Sequence, residues 1–417
     1  MIEFFIKEFQ KIIDTTCSLS RYARPRPYRN AFVRFRKCSI QDFDLRRKVL
    51  EDVGLNAFMF PASLIPGCDL LSDSGTTTMT MEQLSQILLG DEAYGSNEGY
   101  FELKDQIEKT FGPEWKGLDK TQDNLFIFHQ GRAAEHALFT LLREEMESTG
   151  VKPIDVVIPS NSHFDTTEAN IENNRMVPIN LPCQEHLDHD ESFPFRGNID
   201  IESLSKLLKA KGDKVPIIYL TITNNTAGGQ PVSMANIKKV HELATAYKVP
   251  FFIDASRFAE NAWFIKQKED GYKYKTIEQV VYEMFSYCDG FHASFKKDGM
   301  VNIGGGIVLK QHGLFLKKYP HFPGKLNDHQ ILTEGHPTYG GLAGRDLKGL
   351  VQGLKTVVKE QYLKYRIEQV ERFGRKLVEY NIPIIKPIGG HAVYIDMDKF
   401  FNNEAKDEDF KGVALMR

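Results

Sequence analysis

The sequence predicts an α/β fold, with a mostly parallel sheet in a large domain and a small α+β domain. Three observations carry this. Short apolar runs at 125–128, 154–158, 215–221 and 250–253 alternate with longer stretches of helical periodicity. Strands flanked on both sides by helices imply a mostly parallel sheet. Each run also empties into a polar loop, and ligands of open α/β sheets bind at that end of the strands. A chain of 417 residues is long for one core. We expect 1–65 to form an N-terminal arm and part of the small domain, 66–345 the large domain, and 346–417 a small, incomplete C-terminal domain.

Taken in order, residues 1–20 read as an amphipathic helix, with Phe4, Ile6, Phe9 and Ile12 or Ile13 at helical spacing. The basic segment 21–37 is broken by Pro25 and Pro27 and reads as an arm packed on a partner subunit or on the protein's own body. Polar loops at Asp73–Thr78 and Gly90–Gly95 bracket a helix over 81–89, and another helix covers 101–111. The strand 125–128 feeds His129–Glu135 and then a helix over 137–146. The strand 154–158 leads to Pro159–Thr167, and a helix covers 201–209. The strand 215–221 leads to Thr223–Pro231 and a helix over 234–247, and the strand 250–253 runs into Asp254–Arg257. An aromatic approach, Phe285 to Phe291, reaches Lys296 and Lys297, and a strand follows at 304–309. The connection through His321, His329 and His336 reads as irregular. A long helix over 347–377, with a break, and strands at 382–385 and 392–395 complete the chain, before a helix or strand at 407–415.

Composition narrows the function classes. Lys plus Arg number 53 and Asp plus Glu 56, a net charge of -3, so neither nucleic acid nor an anionic membrane is indicated. The five cysteines are scattered and no CxxC occurs, which fits a reducing, cytoplasmic setting and argues against structural zinc. No apolar run is long enough to span a membrane. Glu3, Glu8 and Asp14 interrupt the first apolar stretch, unlike a secretory signal.

The chemistry starts from Lys296 and Lys297. Adjacent lysines repel, and one held near apolar surface becomes a usable amine; the alternative is a solvated basic turn. Such an amine suits capture of an aldehyde cofactor, pyridoxal phosphate above all. That cofactor also needs a carboxylate at its ring nitrogen, a phosphate cradle and a flat side chain against its ring. Asp254, at a strand end, supplies the carboxylate; its other reading is a helix cap or a salt bridge with Arg257. Gln130, Gly131, Arg132 and Ser294 supply the cradle, because a strand, glycine turn and helix start leave backbone N–H groups free for an anion. Phe164 stacks, and Asn225 donates to the ring's phenolic oxygen.

The chain resembles the tryptophanase and tyrosine phenol-lyase family of β-eliminating lyases. The motifs are GDEAY at 90–94, HQGRAAE at 129–135, FDTT at 164–167, AGGQPVSMAN at 227–236, SRFAENAWFIK at 256–266, KKDGMVNIGG at 296–305 and YGGLAGRD at 339–346. The resemblance implies the aspartate-aminotransferase-like fold of type I pyridoxal-phosphate enzymes. It implies that Lys297 holds the cofactor, that Lys296 orders the site, and that Asp254 pairs with the ring nitrogen. It places Arg257 and Asn225 near the phenolic oxygen and makes Tyr94 the acid for the departing ring. It implies potassium near Gly75, Glu92 and Asn302, and a homotetramer of dimers with active sites at the dimer interfaces.

Within the family, Asp165 after Phe164 resembles the tryptophanases, whereas the phenol-lyases carry threonine there. Asp398 stands where the phenol-lyases have an arginine for the phenol oxygen, and like charges repel. Tryptophan is therefore the expected substrate. Tyrosine, cysteine or an S-substituted cysteine is the alternative, and a catalytically impaired cofactor-binding homologue is another. The last reading arises because family members continue past residue 417 with an arginine for the substrate carboxylate.

Overall fold

Seven strands lie among the described residues: β1 (Leu125–Phe128), β2 (Val157–Ser160), β3 (Val177–Asn180), β4 (Ile218–Thr221), β5 (Phe251–Asp254), β6 (Gly290–Ser294) and β7 (Gly305–Leu309). Five of them pair in the order β1-β7-β6-β5-β4, and β2 pairs with β3. The β4/β5, β5/β6 and β2/β3 pairs are parallel, while β7 runs antiparallel to both β6 and β1. One reversed strand in an otherwise parallel set is the mostly parallel sheet that the apolar runs predict. Asn161 joins the two sheets through its side chain. Its Nδ2 donates to the Thr221 carbonyl and its Oδ1 accepts from the Thr221 N–H, both at 2.9 Å, as a backbone rung would.

This computed structural model describes residues 43–65, 71–117, 124–187, 193–226, 228–402, 404, 406 and 409–416. The helix expected at 1–20 and the basic segment 21–37 lie outside the described residues. Fifteen helices are described: α1 (Phe43–Asp52), α2 (Met81–Leu88), α3 (Glu98–Phe111), α4 (Gly131–Ser148), α5 (Asp165–Asn173), α6 (Ile201–Lys211), α7 (Met234–Tyr247), α8 (Phe258–Lys268), α9 (Ile277–Ser286), α10 (Leu314–Lys318), α11 (Phe322–Thr333), α12 (Gly344–Val357), α13 (Glu360–Glu379), α14 (Met397–Phe400) and α15 (Lys411–Met416). None of the described helices is long and apolar enough to cross a membrane.

Side chains alternate across the sheet. Leu125, Ile127, Ile218, Leu220, Phe251 and Ile253 enter one core, and Phe126, Phe128, Tyr219 and Phe252 enter the other. Both faces are covered, so these strands are apolar throughout. A third, smaller cluster of Leu377, Ile382 and Ile384 sits in the C-terminal part.

Several expectations change. The long helix splits into α12 and α13 at Val358–Lys359, after the β-branched run Thr356–Val358. The connection through His321 and His329 is not irregular but carries α11; its start at Phe322-Pro323-Gly324 disguises a helix in which Pro occupies the first turn. The strands expected at 382–385 and 392–395 reduce to one bridge, Ile384 with Ile395. Pro383 has no N–H for a ladder, though its carbonyl accepts from Asp396 N at 2.9 Å.

Candidate active site

Lys297 lies in the turn that joins β6 to β7. The turn is tied at both ends: Lys297 N donates to Ser294 O at 3.4 Å, and Phe295 N donates to Gly304 O at 3.1 Å. Lys297 lines a cleft at the C-terminal ends of β4, β5 and β6. Burial first, and the Arg257 charge second, hold its amine below the usual lysine range. Its Nζ is 5.9 Å from the centre of the Phe164 ring. Lys296 lines the same cleft, and its carbonyl accepts from Gly75 N at 2.8 Å.

Asp254 ends β5, buried at 5% exposure. Its Oδ1 accepts from Ser256 N at 3.1 Å and Ser256 Oγ at 2.7 Å, and lies 3.7 Å from His292 Nδ1. Its Oδ2 takes no donor among the described residues and is left to the cleft. The alternative reading of Asp254 as the partner of Arg257 does not hold. Arg257 donates Nε and an Nη to the two oxygens of Asp73, both at 2.9 Å. Burial pushes the Asp73 carboxyl up, but the Arg257 charge and hydrogen bonds outweigh it and hold the carboxyl well below the usual range.

The cradle residues also meet. Gln130 precedes α4 and Gly131 opens it, so the first N–H groups of the helix lie in the cleft wall with the Arg132 side chain. Gly131 is required by contact: a Cβ there would stand 2.6 Å from Ser294 Cβ. Phe164, before α5, and Asn225, after β4, complete the lining. Thr221 Oγ1, on the same wall, is buried with no hydrogen-bond partner among the described residues.

Other expected residues are not brought to the cleft within one chain. Tyr94 is 83% exposed and packs edge-on against Tyr339, ring centres 5.7 Å apart. Asp165 is exposed at the start of α5, where its charge suits the helix dipole. Asn302 Nδ2 donates to Gly75 O at 2.8 Å, but the Glu92 carboxylate is taken by Arg345 at 2.9 Å. Of the expected potassium set, Gly75 and Asn302 are thus in contact, while the Glu92 carboxylate is turned to Arg345.

Sequence reasoning missed an inner layer. Glu135 is buried and accepts from Thr166 and Thr167 hydroxyls, both at 2.7 Å. Its carboxylate, that of Asp254 and the His292 ring approach within 4.8 Å of one another. His292 Nε2 faces the Gly131 carbonyl at 2.9 Å, so it carries the hydrogen, and Nδ1 lies 2.9 Å from Tyr219 Oη. Periodicity carried the signal: Glu135 lies four residues after Gly131 on one helix face, and His292 two before Ser294 on one strand face.

A second network lies on the Asn225 side. His391 Nε2 is 2.7 Å from Asn225 Oδ1 and Nδ1 is 2.8 Å from Glu260 Oε1. Glu260, fully buried, also accepts from Thr223 Oγ1 at 2.6 Å and Arg366 at 3.2 Å. Burial pushes its carboxyl up, but His391, Arg366 and Arg257 pull it down further. Arg366 also binds Asp298, the residue after Lys297, at 2.9 Å.

Comparisons with known proteins agree with this architecture. A solved threonine aldolase of Leishmania major superposes with a TM-score of 0.53 over 80% of this chain and 86% of that one, at 12% identity. The SepCysS–SepCysE N-terminal domain complex gives 0.51 over 82% and 84%, at 14% identity. The fold is the aminotransferase-like one of type I pyridoxal-phosphate enzymes. The tryptophanase of Salinibacter ruber is 43% identical over 351 residues, 84% of this chain and 69% of that protein. The tryptophanase of Hyphomonas neptunium is 40% identical over 355 residues, 85% and 72%. The tyrosine phenol-lyase of Fusobacterium nucleatum is 38% identical over 371 residues, 89% and 75%. The sequence model of the β-eliminating lyases matches residues 69–414, and with these relatives the chain belongs to that family of pyridoxal-phosphate-dependent carbon–carbon lyases.

Proposed function

We propose that the protein cleaves L-tryptophan by β-elimination, giving indole, pyruvate and ammonia. One observation carries the site assignment: a lysine amine and an unpartnered carboxylate oxygen meet in a cleft whose far wall is a helix N-terminus. That donor set fits pyridoxal phosphate. Gln130, Gly131, Arg132 and Ser294 hold its phosphate, and the close Gly131–Ser294 contact leaves the backbone N–H groups open to it. Asp254 Oδ2 would serve the ring nitrogen, Phe164 would stack on the ring, and Asn225 and Arg257 would serve the phenolic oxygen.

Bound there, the cofactor supplies a cationic ring that withdraws the electron pair left when the α-hydrogen departs. Asp254 keeps the ring nitrogen protonated. Lys297 Nζ, its basicity lowered by burial, would hold the cofactor through its aldehyde and, once the substrate amine has displaced it and freed its lone pair, would accept the α-hydrogen as a proton. Lys296 helps order the site. Tyr94 protonates the leaving aromatic carbon. Because Tyr94 is exposed on its own chain, it serves the cleft of a second copy in a homotetramer. Phe58, Met59, Leu88 and Leu89, between 64% and 85% exposed, offer apolar surface for such assembly.

Two features favour tryptophan. Asp398, where a phenol-binding arginine would stand, pairs with Lys411 and offers a phenolate nothing. Asp165 beside Phe164 is the second. The test is to add pyridoxal phosphate to the cofactor-free protein, record the visible absorption, and assay pyruvate from tryptophan, tyrosine and S-methylcysteine. Pyruvate with indole from tryptophan supports the assignment. Phenol as the main aromatic product overturns the substrate, and a bound cofactor with no pyruvate from any of the three overturns the activity.

A further inference from the structure

We infer that Glu135 is a positioning residue: its carboxylate ties the start of α5 to α4 and so fixes the Phe164 ring against the ring of the bound cofactor. This rests on the placement of the cofactor argued above.

Phe164 stands one residue before α5, at the capping position, and has no side-chain oxygen to give the helix. The backbone there is set by distant groups instead. Ahead of Phe164, His163 N donates to Asn180 Oδ1 at 2.8 Å, and the Ser162 carbonyl accepts from Asn224 Nδ2 at 2.9 Å. Beyond it stands Glu135. Thr166 Oγ1 donates to its Oε2 and Thr167 Oγ1 to its Oε1, both at 2.7 Å. Threonine hydroxyls at a helix start commonly turn to nearby backbone groups. Here both turn to another helix. Only Phe164 and Asp165 lie between the two anchors, and of these only Phe164 lines the cleft.

The place of Glu135 calls for such a task. It is 2% exposed and lines the same cleft as the cradle, four residues after Gly131 on one face of α4. An acidic side chain is an unfavourable neighbour for a phosphate, and it is costly to bury unless its oxygens are hydrogen-bonded. One hydroxyl on each oxygen meets that need. The clamp also reaches the lysine. Gly131 packs on Ser294, three residues before Lys297, so α4 carries Phe164 in register with the turn that holds the amine. The Phe164 ring centre accordingly lies 5.9 Å from Lys297 Nζ.

Amide hydrogen exchange of the cofactor-free protein tests the clamp. Thr167 is fully buried and does not line the cleft, so Thr167→Val removes a hydroxyl from the clamp without touching the cofactor. The peptide spanning residues 164–172 is expected to exchange about tenfold faster, and Thr167→Ser is expected to exchange like the parent. Unchanged exchange in Thr167→Val overturns the clamp. Thr166→Val takes its place if that variant does not fold. The ring half is read from pyridoxal phosphate affinity and from the circular dichroism of its visible band, which reports how the ring is tilted in its chiral surroundings. Thr167→Val is expected to weaken affinity about fivefold and to change the dichroism, and Thr167→Ser to restore both. In a Phe164→Leu background Thr167→Val is expected to do nothing more. Additive losses, or an unchanged dichroism with Phe164 in place, overturn the ring half. A parent protein that binds no pyridoxal phosphate fails the reading of the cleft, and the ring half with it, while the exchange result still decides the clamp.

Discussion

Arg257 grips Asp73 through two parallel N–H···O bonds of 2.9 Å, tying the loop before α2 to the turn after β5. The pair contributes to the charge that Lys297 feels. Asp73 raises the basicity of Lys297 while Arg257 lowers it. Asp73→Asn leaves Arg257 buried without its counter-charge, at a cost of about 3 kcal/mol in unfolding free energy. It also lets Lys297 fall further below its ordinary range. Capture of pyridoxal phosphate needs the neutral amine, so its rise with pH shifts to lower pH. A stopped-flow pH profile of capture checks the shift, and an unchanged midpoint contradicts it.

Lys297 is the expected point of covalent attachment. Lys297→Ala should bind the cofactor without a borohydride-fixable bond. Mass spectrometry after reduction then finds no adduct on the peptide spanning residues 296–310, whereas the parent protein carries one there. Lys296→Ala should keep the adduct.

Asp254→Asn preserves the Ser256 contacts on Oδ1 but removes the charge from Oδ2. The cofactor is retained, and turnover falls about a hundredfold or more, as when one preorganised electrostatic partner is removed. Equal loss of binding and turnover would show that Asp254 acts only in holding the cofactor.

Gly131→Ala ordinarily favours a helix by about 1 kcal/mol. Here the added methyl stands 2.6 Å from Ser294 Cβ, so the sign reverses. A lower melting temperature and weaker pyridoxal phosphate affinity are expected together. A more stable protein with unchanged affinity would show that the two segments part easily.

His163 gives the protein an acid-sensitive element. Burial lowers its pKa from 6.5 to about 4, so the folded chain resists a proton that the unfolded chain accepts. Its contribution is complete above the unfolded value and is lost as pH falls toward the folded one. The loss amounts to about 3 kcal/mol. Urea midpoints measured from neutral pH down to that range should fall more steeply for the parent than for His163→Gln.

How much of this was legible in the sequence follows from the range of the interactions. The run Leu125–Phe128 announces itself because its residues are buried on both faces, and the polar turns after β1, β5 and β6 mark the cleft because strand ends are where backbone groups go unused. Local periodicity says nothing about which distant loops meet. Asp73 and Arg257 are 184 residues apart, and only folding reveals the pair. His391 and Asn225 are separated by 166, and their contact depends on the C-terminal part closing over the end of the sheet. Glu135 lay inside a quoted motif yet had no assigned task, since two threonine hydroxyls brought by another helix define it. Tyr94 points away from its own cleft, and a single chain's pattern cannot specify which copy a side chain serves.

The reversed strand β7 has a practical bearing. Because β7 returns alongside β6, Lys297 is stitched to the sheet on both sides within a twenty-residue hairpin, Gly290 to Leu309. Peptide-bond cleavage anywhere beyond Leu309 would leave both stitches intact. A protease-nicked preparation should therefore keep its aldehyde-trapping amine in register long after the helices that follow have come loose.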